Sequence, residues 1–543
     1  MTAIVSQFIS KLKGDKVFRF SLWALFYVFI FLLLLNNSYR YLDPDLGWHL
    51  RVGEAISASG EIPRINLYNY TFTGNWVDHE WLGDLWLYKI YSSLGYLSVS
   101  VLFSVIVLAA LALLHLETKR YFPNVSPAII IFFQVLGVVA ALPSLGVRLQ
   151  VFGLFFVVLI LTLISAYDRK SDWRLTLFWP PLFYLWASLH ASFLLGLCLL
   201  VAWFFIRVVE KLAGHFKITW LNFNQGLKSV SQFVVSAVAI VATFLATCLT
   251  PYRGELYYFL LGYRDSFYQM HIREWLPQHV FPLQYMQLFY MALVAAIVFL
   301  YVYYFRRLNK GINLWEIFLV VTFIFLGWQS RRHFPLLVFV TMPFVIFYAQ
   351  SLINEGRSFH EWKLPNWLNG FIILCFLLSS ASLLLQIRTP KNPFVSFCQT
   401  YPCQAVEFLK NRPDLDSYRL FNDYGWGGYL IWNLPERLLF IDGRLPQKEF
   451  AGHTFLQEYY EFFEKDADIK SKLDDYNIGL VLIPTHDQPL TIRWWEKVLF
   501  SIKDQDIVSH NYLRQYLEAS GWLILYTDSV SVIYANPLML LAD

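Results

Sequence analysis

The chain has 543 residues, of which 57% are hydrophobic, 19% aromatic and only 15% charged. That balance is too apolar for a soluble globular protein, which must keep its surface wet, and it demands a bilayer. The formal net charge of +4 at pH 7 is dispersed along the chain rather than gathered in a patch, so it gives no reason to invoke nucleic acid.

In chain order, the first apolar run, about residues 18 to 37, leads into Asn36, Asn37, Ser38 and Tyr39 with no small-residue cleavage site. It reads as an uncleaved span rather than a removed signal. Further stretches long enough to cross a bilayer lie near 95–116, 126–145, 149–167, 174–189, 191–209, 229–249, 283–305, 312–328, 334–351 and 368–387. The fold expected is a polytopic α-helical membrane protein of about eleven transmembrane helices. Residues 1–388 form the transmembrane domain, with a large first outer loop at about 38–94.

Lysine and arginine in short loops resist translocation and so set orientation. With the N-terminus cytoplasmic, the inner segments hold Lys11, Lys13, Lys16, Lys119, Arg120, Arg169, Lys170, Arg207, Lys211, Arg306, Arg307 and Lys310, among others. The outer loops carry Arg40, Arg51, Arg64, Lys89, Arg148, Arg253, Arg264, Arg273, Arg331 and Arg332, nine of the ten being arginine. The planar, bidentate guanidinium suits oxyanion recognition. Pairing with loop carboxylates and aromatic faces is the plainer account of any single arginine.

The first outer loop contains Asp43-Pro44-Asp45 just beyond the first span, a turn that places two carboxylates where they can share a cation or a proton. Asp45 would also cap the helix expected to follow, through Leu46, Leu50 and Ile56 to Gly60. A second cluster, Asp78, His79, Glu80 and Trp81, opens an amphipathic stretch with Leu82, Leu85, Trp86 and Ile90 as its apolar stripe. Acidic residues at a helix start are favoured by the dipole alone.

Later outer turns repeat this character. Arg148 starts the fourth span, and His190 sits in the turn of SLHASFLLG. The segment 250–279 holds Arg253 and Glu274, and WQSRRHFP sets Arg331, Arg332 and His333 at the end of the ninth span. Charges so close to the hydrocarbon must snorkel, pair or face a wet cavity.

Residues 389–543 read as a small extracytoplasmic α/β domain. QAVEFLKNR and WGGYLIWNL are helical, YRLFN, RLLFIDGR and IGLVLIPT extended, and WLILYTDS with VSVIYAN forms a closing hairpin. Gly427, Gly428 and the Asp442-Gly443-Arg444 turn suit tight packing and a fixed turn, with acceptor recognition as the alternative. Cys398 and Cys403, in FCQTYPC, fall outside the membrane and are expected to form a local disulfide.

DPDLGWHLRVGEAI, GEIPRINLYNYTF, WVDHEWL, SLHASFLLGL, TPYRGELY, IREW and WQSRRHFP, taken in order over about residues 18 to 350, resemble bacterial polytopic membrane proteins placed with the GT-C type glycosyltransferases. The resemblance implies a plasma-membrane enzyme that takes a sugar from a polyprenyl-phosphate carrier and passes it to an extracytoplasmic acceptor. It implies Asp43 and Asp45 as base or as ligands of a divalent metal, Mg²⁺ or Mn²⁺. Arg148, Arg331 and Arg332 would hold phosphate oxygens, and His79, Glu80, His190, Arg253 and Glu274 complete the candidate substrate-binding set. This chain has Asp-Pro-Asp where many lipid-linked sugar transferases have Asp-Glu. A non-catalytic component that binds or passes a lipid-linked surface polysaccharide would use the same loops.

Overall fold

The computed structural model describes residues 16–215, 229–262, 266–307, 313–355, 366–388, 397–450, 452–465, 467–486, 492–502 and 511–540. Among the described residues, fourteen α-helices precede the C-terminal segment. They are α1 (Lys16–Arg40), α2 (Leu46–Ser59), α3 (Trp81–Tyr121), α4 (Pro127–Ala141), α5 (Gln150–Lys170), α6 (Trp179–Leu189), α7 (Phe193–His215), α8 (Val230–Thr247), α9 (Gly254–Leu261), α10 (Ser266–His271), α11 (Tyr285–Arg307), α12 (Leu314–Gln329), α13 (Phe334–Glu355) and α14 (Asn366–Arg388).

Every apolar stretch read as a span is helical. Among the described residues, eight of these helices are long and apolar enough to cross a membrane: α1, α3, α4 with its 3₁₀ extension to Ser144, α5, α7, α8, α11 and α13. Of the other three stretches, 312–328 and 368–387 fall on α12 and on the 23-residue α14 as expected, and one departs in length. The stretch 174–189 breaks into a 3₁₀ turn, Trp173–Phe178, and the 11-residue α6. Pro180 and Pro181 explain the break, because proline is accommodated only in the first turn of a helix. The apolar helix α12 has 16 residues, and the described apolar part of α14 is Leu374–Ile387.

α3 is two helices in one. Gly95, at φ 77° and ψ 178°, interrupts it, a backbone conformation open to glycine and strained for other residues. The turn separates the amphipathic stretch after Trp81 from the membrane-crossing stretch that follows.

The two ends of the bundle differ in chemistry. At one end Arg207 pairs with Asp168 and Glu210, both at 2.6 Å, and Glu117 pairs with Arg120 at 2.6 Å and Arg169 at 3.0 Å. At the other end the long first loop meets the C-terminal segment. That segment carries a four-stranded sheet in the order β1-β4-β6-β5, built from β1 (Arg419–Asn422), β4 (Ile478–Pro484), β5 (Leu523–Thr527) and β6 (Ser531–Ala535), beside a two-stranded pair, β2 (Glu449–Phe450) and β3 (His453–Thr454). β1 runs parallel to β4, while β4-β6 and the closing β5-β6 hairpin are antiparallel. RLLFIDGR, expected to be extended, forms no strand: Leu439 makes single bridges to Leu420 of β1 and to Asn69 of the first loop, and Gly443-Arg444 is a turn. Cys398 and Cys403 are disulfide-bonded.

Close backbone packing joins α2 to the helix Gly427–Asn433, here α16, which follows α15 (Cys403–Lys410). A Cβ on Gly47 would lie 2.0 Å from the Gly428 carbonyl oxygen, and one on Gly428 would lie 2.1 Å from the Pro44 carbonyl oxygen. Two glycines thus let the elements cross at backbone contact. Arg444 ties the same region: its Nη2 donates to Asn66 and Asn69 of the first loop, both at 3.0 Å, and to Asp442 at 2.7 Å. Its guanidinium lies 4.7 Å from the Tyr68 ring centroid and 4.9 Å from that of Trp76.

Candidate active site

Asp43 is fixed by its own turn. Its Oδ1 accepts the N–H of Asp45 at 3.0 Å and its carbonyl accepts that of Leu46 at 3.2 Å. Its Oδ2 is ion-paired with Arg148. Asp45 occupies the N-cap of α2 but makes no side-chain cap hydrogen bond; its Oδ1 instead accepts from the Trp48 indole at 3.0 Å. The capping account of Asp45 therefore lacks the bond to the N2 or N3 amide that defines it. Burial, with the Asp43 carboxylate adding to it, pushes the Asp45 carboxyl up to about 6.

Arg148, in the loop before α5, bridges Asp43 and Glu274, and the second Glu274 oxygen pairs with Arg332. Burial opposes ionisation of Glu274, but Arg332 and Arg148 outweigh it and hold its carboxyl down to about 2. The backbone sets this row: Arg332 N–H donates to the Glu274 carbonyl at 2.8 Å and Arg331 N–H to that of Leu276 at 3.2 Å. The Arg332 guanidinium also lies 4.9 Å from the Trp275 ring centroid. Arg331 is buried and donates to the Val280 carbonyl, while its Nε and Nη1 have no hydrogen-bond partner among the described residues.

Glu80 faces three imidazoles, with His190 Nε2 at 3.4 Å, His79 Nε2 at 3.7 Å and His49 Nε2 at 3.8 Å. The Ser192 N–H donates to His190 Nδ1 at 3.0 Å, so the neutral ring carries its proton on Nε2, toward Glu80. His49 turns its Nδ1 to the buried Asp84 at 2.6 Å. Burial raises Glu80 to about 8 against the pull of His49, and lowers His79 to about 3. Burial therefore favours the neutral forms of Glu80 and His79.

Apart from the buried Asp84, these side chains line one cavity of about 900 Å³. It gathers Asp43, Asp45, His79, Glu80, Arg148, His190, Glu274, Arg331 and Arg332, nine of the ten residues singled out from the sequence. Arg253 is the exception and is corrected here. In the turn before α9, Tyr252 points inward, 3% exposed, with its hydroxyl accepting from Asp78 N–H at 3.1 Å and donating to the Pro63 carbonyl at 3.0 Å. Arg253 faces outward and is not part of the cavity wall.

Sequence reading missed His49, Trp275 and Tyr424. His49 carried a usable signal, since it lies four residues after Asp45 and so on the same helix face. Tyr424 carried none, because nothing local links it to a turn nearly four hundred residues away. With Gly425, Gly428, Gly443 and Pro446 it forms the wall supplied by the C-terminal segment. A Cβ on Gly443 would lie 2.1 Å from Asp45 Oδ1, so the Asp442-Gly443-Arg444 turn rests directly on the carboxylate.

The aspartate pair is a poor fit for a divalent ion. Both Asp43 oxygens are committed, one to the Asp45 amide and one to Arg148, whereas such an ion needs several free hard oxygens. Among the described residues the set with metal-ligand spacing is His453, Glu458 and Glu461, none of which lines the cavity. There the Lys472 ammonium already sits between the glutamates, 2.9 Å from Glu458 and 2.6 Å from Glu461.

No protein-family model matches the chain, and no curated protein sequence does. Solved structures do. The fold is similar to that of the oligosaccharyltransferase of Archaeoglobus fulgidus, solved with a tethered acceptor peptide containing an NVT sequon, which superposes with a TM-score of 0.50 at 11% identity, over 84% of this chain and 68% of that one. ArnT from Cupriavidus metallidurans, solved with undecaprenyl phosphate, matches with a TM-score of 0.44 at 12% identity, over 94% of this chain and 98% of that one.

Proposed function

We propose that the protein is a glycosyltransferase that moves a sugar from a polyprenyl-phosphate carrier to an acceptor on the extracytoplasmic side of the plasma membrane. The observation that carries this reading is the convergence of carboxylates and guanidiniums from five separate loops on one cavity at one end of a GT-C type bundle. Asp45 is the general base, half-buried and lifted toward neutrality, within range to take a proton from an acceptor hydroxyl or amide. As that proton moves to Asp45, the acceptor atom bonds to the anomeric carbon and the bond from that carbon to the phosphate oxygen breaks. The carrier phosphate leaves with the electron pair. Arg148, Arg332 and Arg331 surround the place where this charge develops, and preorganised guanidiniums stabilise it. Asp43 holds Arg148 in position rather than acting on substrate. The similar oligosaccharyltransferase was solved with a tethered acceptor peptide, which is in keeping with a transfer reaction that needs an acceptor.

The test is transfer of labelled sugar from a synthetic polyprenyl-phosphate sugar by purified protein, comparing wild type with Asp45→Asn. Loss of transfer at unchanged protein yield supports the assignment. Wild-type turnover in Asp45→Asn overturns it.

A further inference from the structure

Trp494–Phe500 is a short helix of the C-terminal segment with two unlike faces. Its inner face is anchored to the start of α11. Glu496, 4% exposed, accepts from the Tyr285 hydroxyl, Trp495 packs on the Tyr285 ring at 5.3 Å between centroids, and Phe500 meets Phe281 at 5.0 Å. Its outer face leaves Trp494 77%, Val498 73% and Leu499 69% exposed. Trp494 and Val498, four residues apart, share one side of the helix, and Leu499 is exposed on the adjoining side.

Tyr285 is the first residue of a helix that crosses the membrane. A helix packed on that residue lies where α11 enters the bilayer, the depth at which Trp and Tyr are enriched. The bared stripe of Trp494, Val498 and Leu499 is therefore at lipid level, and an apolar stripe with an aromatic edge is what an interfacial helix presents to headgroups and upper acyl chains. Beneath it lies a second cavity of about 500 Å³, bounded by Val139, Ala140, Tyr285, Arg493 and Glu496. This cavity shares Pro143, Gln284 and Gln287 with the main one.

We propose that Trp494–Phe500 is a membrane-surface anchor, seated in the lipid leaflet on the cavity side of the bundle and holding the C-terminal segment over the site. Its partner is bilayer lipid, bound through the Trp494, Val498 and Leu499 face. The inference stands on packing and exposure alone and does not depend on the reaction proposed above.

The experiment uses the full chain in nanodiscs of phosphatidylethanolamine and phosphatidylglycerol. Cys198, Cys248 and Cys375 are replaced by Ala, and a nitroxide is attached to one new cysteine at a time: Trp494→Cys, Val498→Cys, Leu499→Cys and, as a reference on the exposed surface of the α/β segment, Asp474→Cys. Collision rates with oxygen, which concentrates in lipid, and with a water-soluble nickel chelate are compared. The oxygen-to-nickel ratio is expected to exceed that at 474 several fold at positions 498 and 499. A ratio equal to that at 474 shows the stripe facing water and overturns the proposal. Low collision with both relaxants shows a protein partner or another part of the chain covering it, and overturns it equally. Three labelling sites keep the test decisive should one variant fail to reconstitute.

Discussion

Asp45 makes two separate predictions. Replacing it by Asn removes the negative charge while preserving size, and because the side chain makes no cap bond, α2 loses little. Turnover is expected to fall about 10²-fold or more, the usual contribution of a general base, with thermal stability of the purified protein unchanged. The second concerns pH. A base must be deprotonated, and burial together with Asp43 sets Asp45 at about 6. The rate of sugar transfer should therefore be flat near neutrality and decline as pH drops through about 6, whereas an ordinary exposed aspartate would hold the rate down to about 4. A profile level to pH 5 would remove Asp45 from the role. Arg332→Lys keeps the charge but gives up the planar fork shared between Glu274 and the Trp275 face. Steady-state kinetics should show weaker use of the donor with protein level maintained.

Among the elements, α2 crosses α16 at backbone contact. An added methyl at Gly428 meets the Pro44 carbonyl oxygen at 2.1 Å, and one at Gly47 meets the Gly428 carbonyl oxygen at 2.0 Å. Neither obstacle is a flexible side chain. Gly428→Ala should cost on the order of 1–3 kcal/mol, as overpacking does in close-packed interiors, and should shift the turn that carries Asp45. Thermal unfolding in detergent measures the first effect and sugar transfer the second. A Gly428→Ala protein with unaltered melting temperature would show that the joint is looser than drawn. Sequence reading assigned Gly427 and Gly428 to tight packing and Asp442 to a fixed turn. The partner of that packing, the Asp43-Pro44-Asp45 turn itself, was beyond its reach.

For the molecule as a whole, Arg444 joins the loop that carries the carboxylates to the segment that roofs them. It is 3% exposed, and its removal leaves Asp442, at 0%, as a buried unpaired carboxylate. Arg444→Met should destabilise by about 3–5 kcal/mol, the range for breaking a buried ion pair by deleting one partner, and should expose the first loop to limited proteolysis. Orientation is a separate expectation. The arginine-rich loops and the C-terminal segment share the cavity end of the bundle, while the buried pairs of Arg207 and Glu117 lie at the other. By the distribution of basic residues, a phosphatase fused after Asp543 should be active outside the cytoplasm; activity of a cytoplasmic reporter there would reverse the scheme.

The membrane class, the positions of the helices, the closing hairpin and the Cys398–Cys403 bond were legible in the sequence, because hydrophobic runs, period-two alternation and local cysteine spacing are properties of neighbouring residues. Most of the candidate site was legible too, since a charge at the end of an apolar span has few explanations. What tertiary structure alone decided is how those charges are spent. Asp43 is bound to Arg148 and Glu274 lies between two arginines, which leaves Asp45 and the histidine-ringed Glu80 as the cavity carboxylates without a guanidinium ion pair among the described residues. Glu80 and its histidines come from three separate parts of the chain, and Tyr424 arrives from a fourth. Pairings of this kind depend on which loops close over one another. Side chains far apart in sequence carry no periodic signal of their partners, so only the folded chain could assign them.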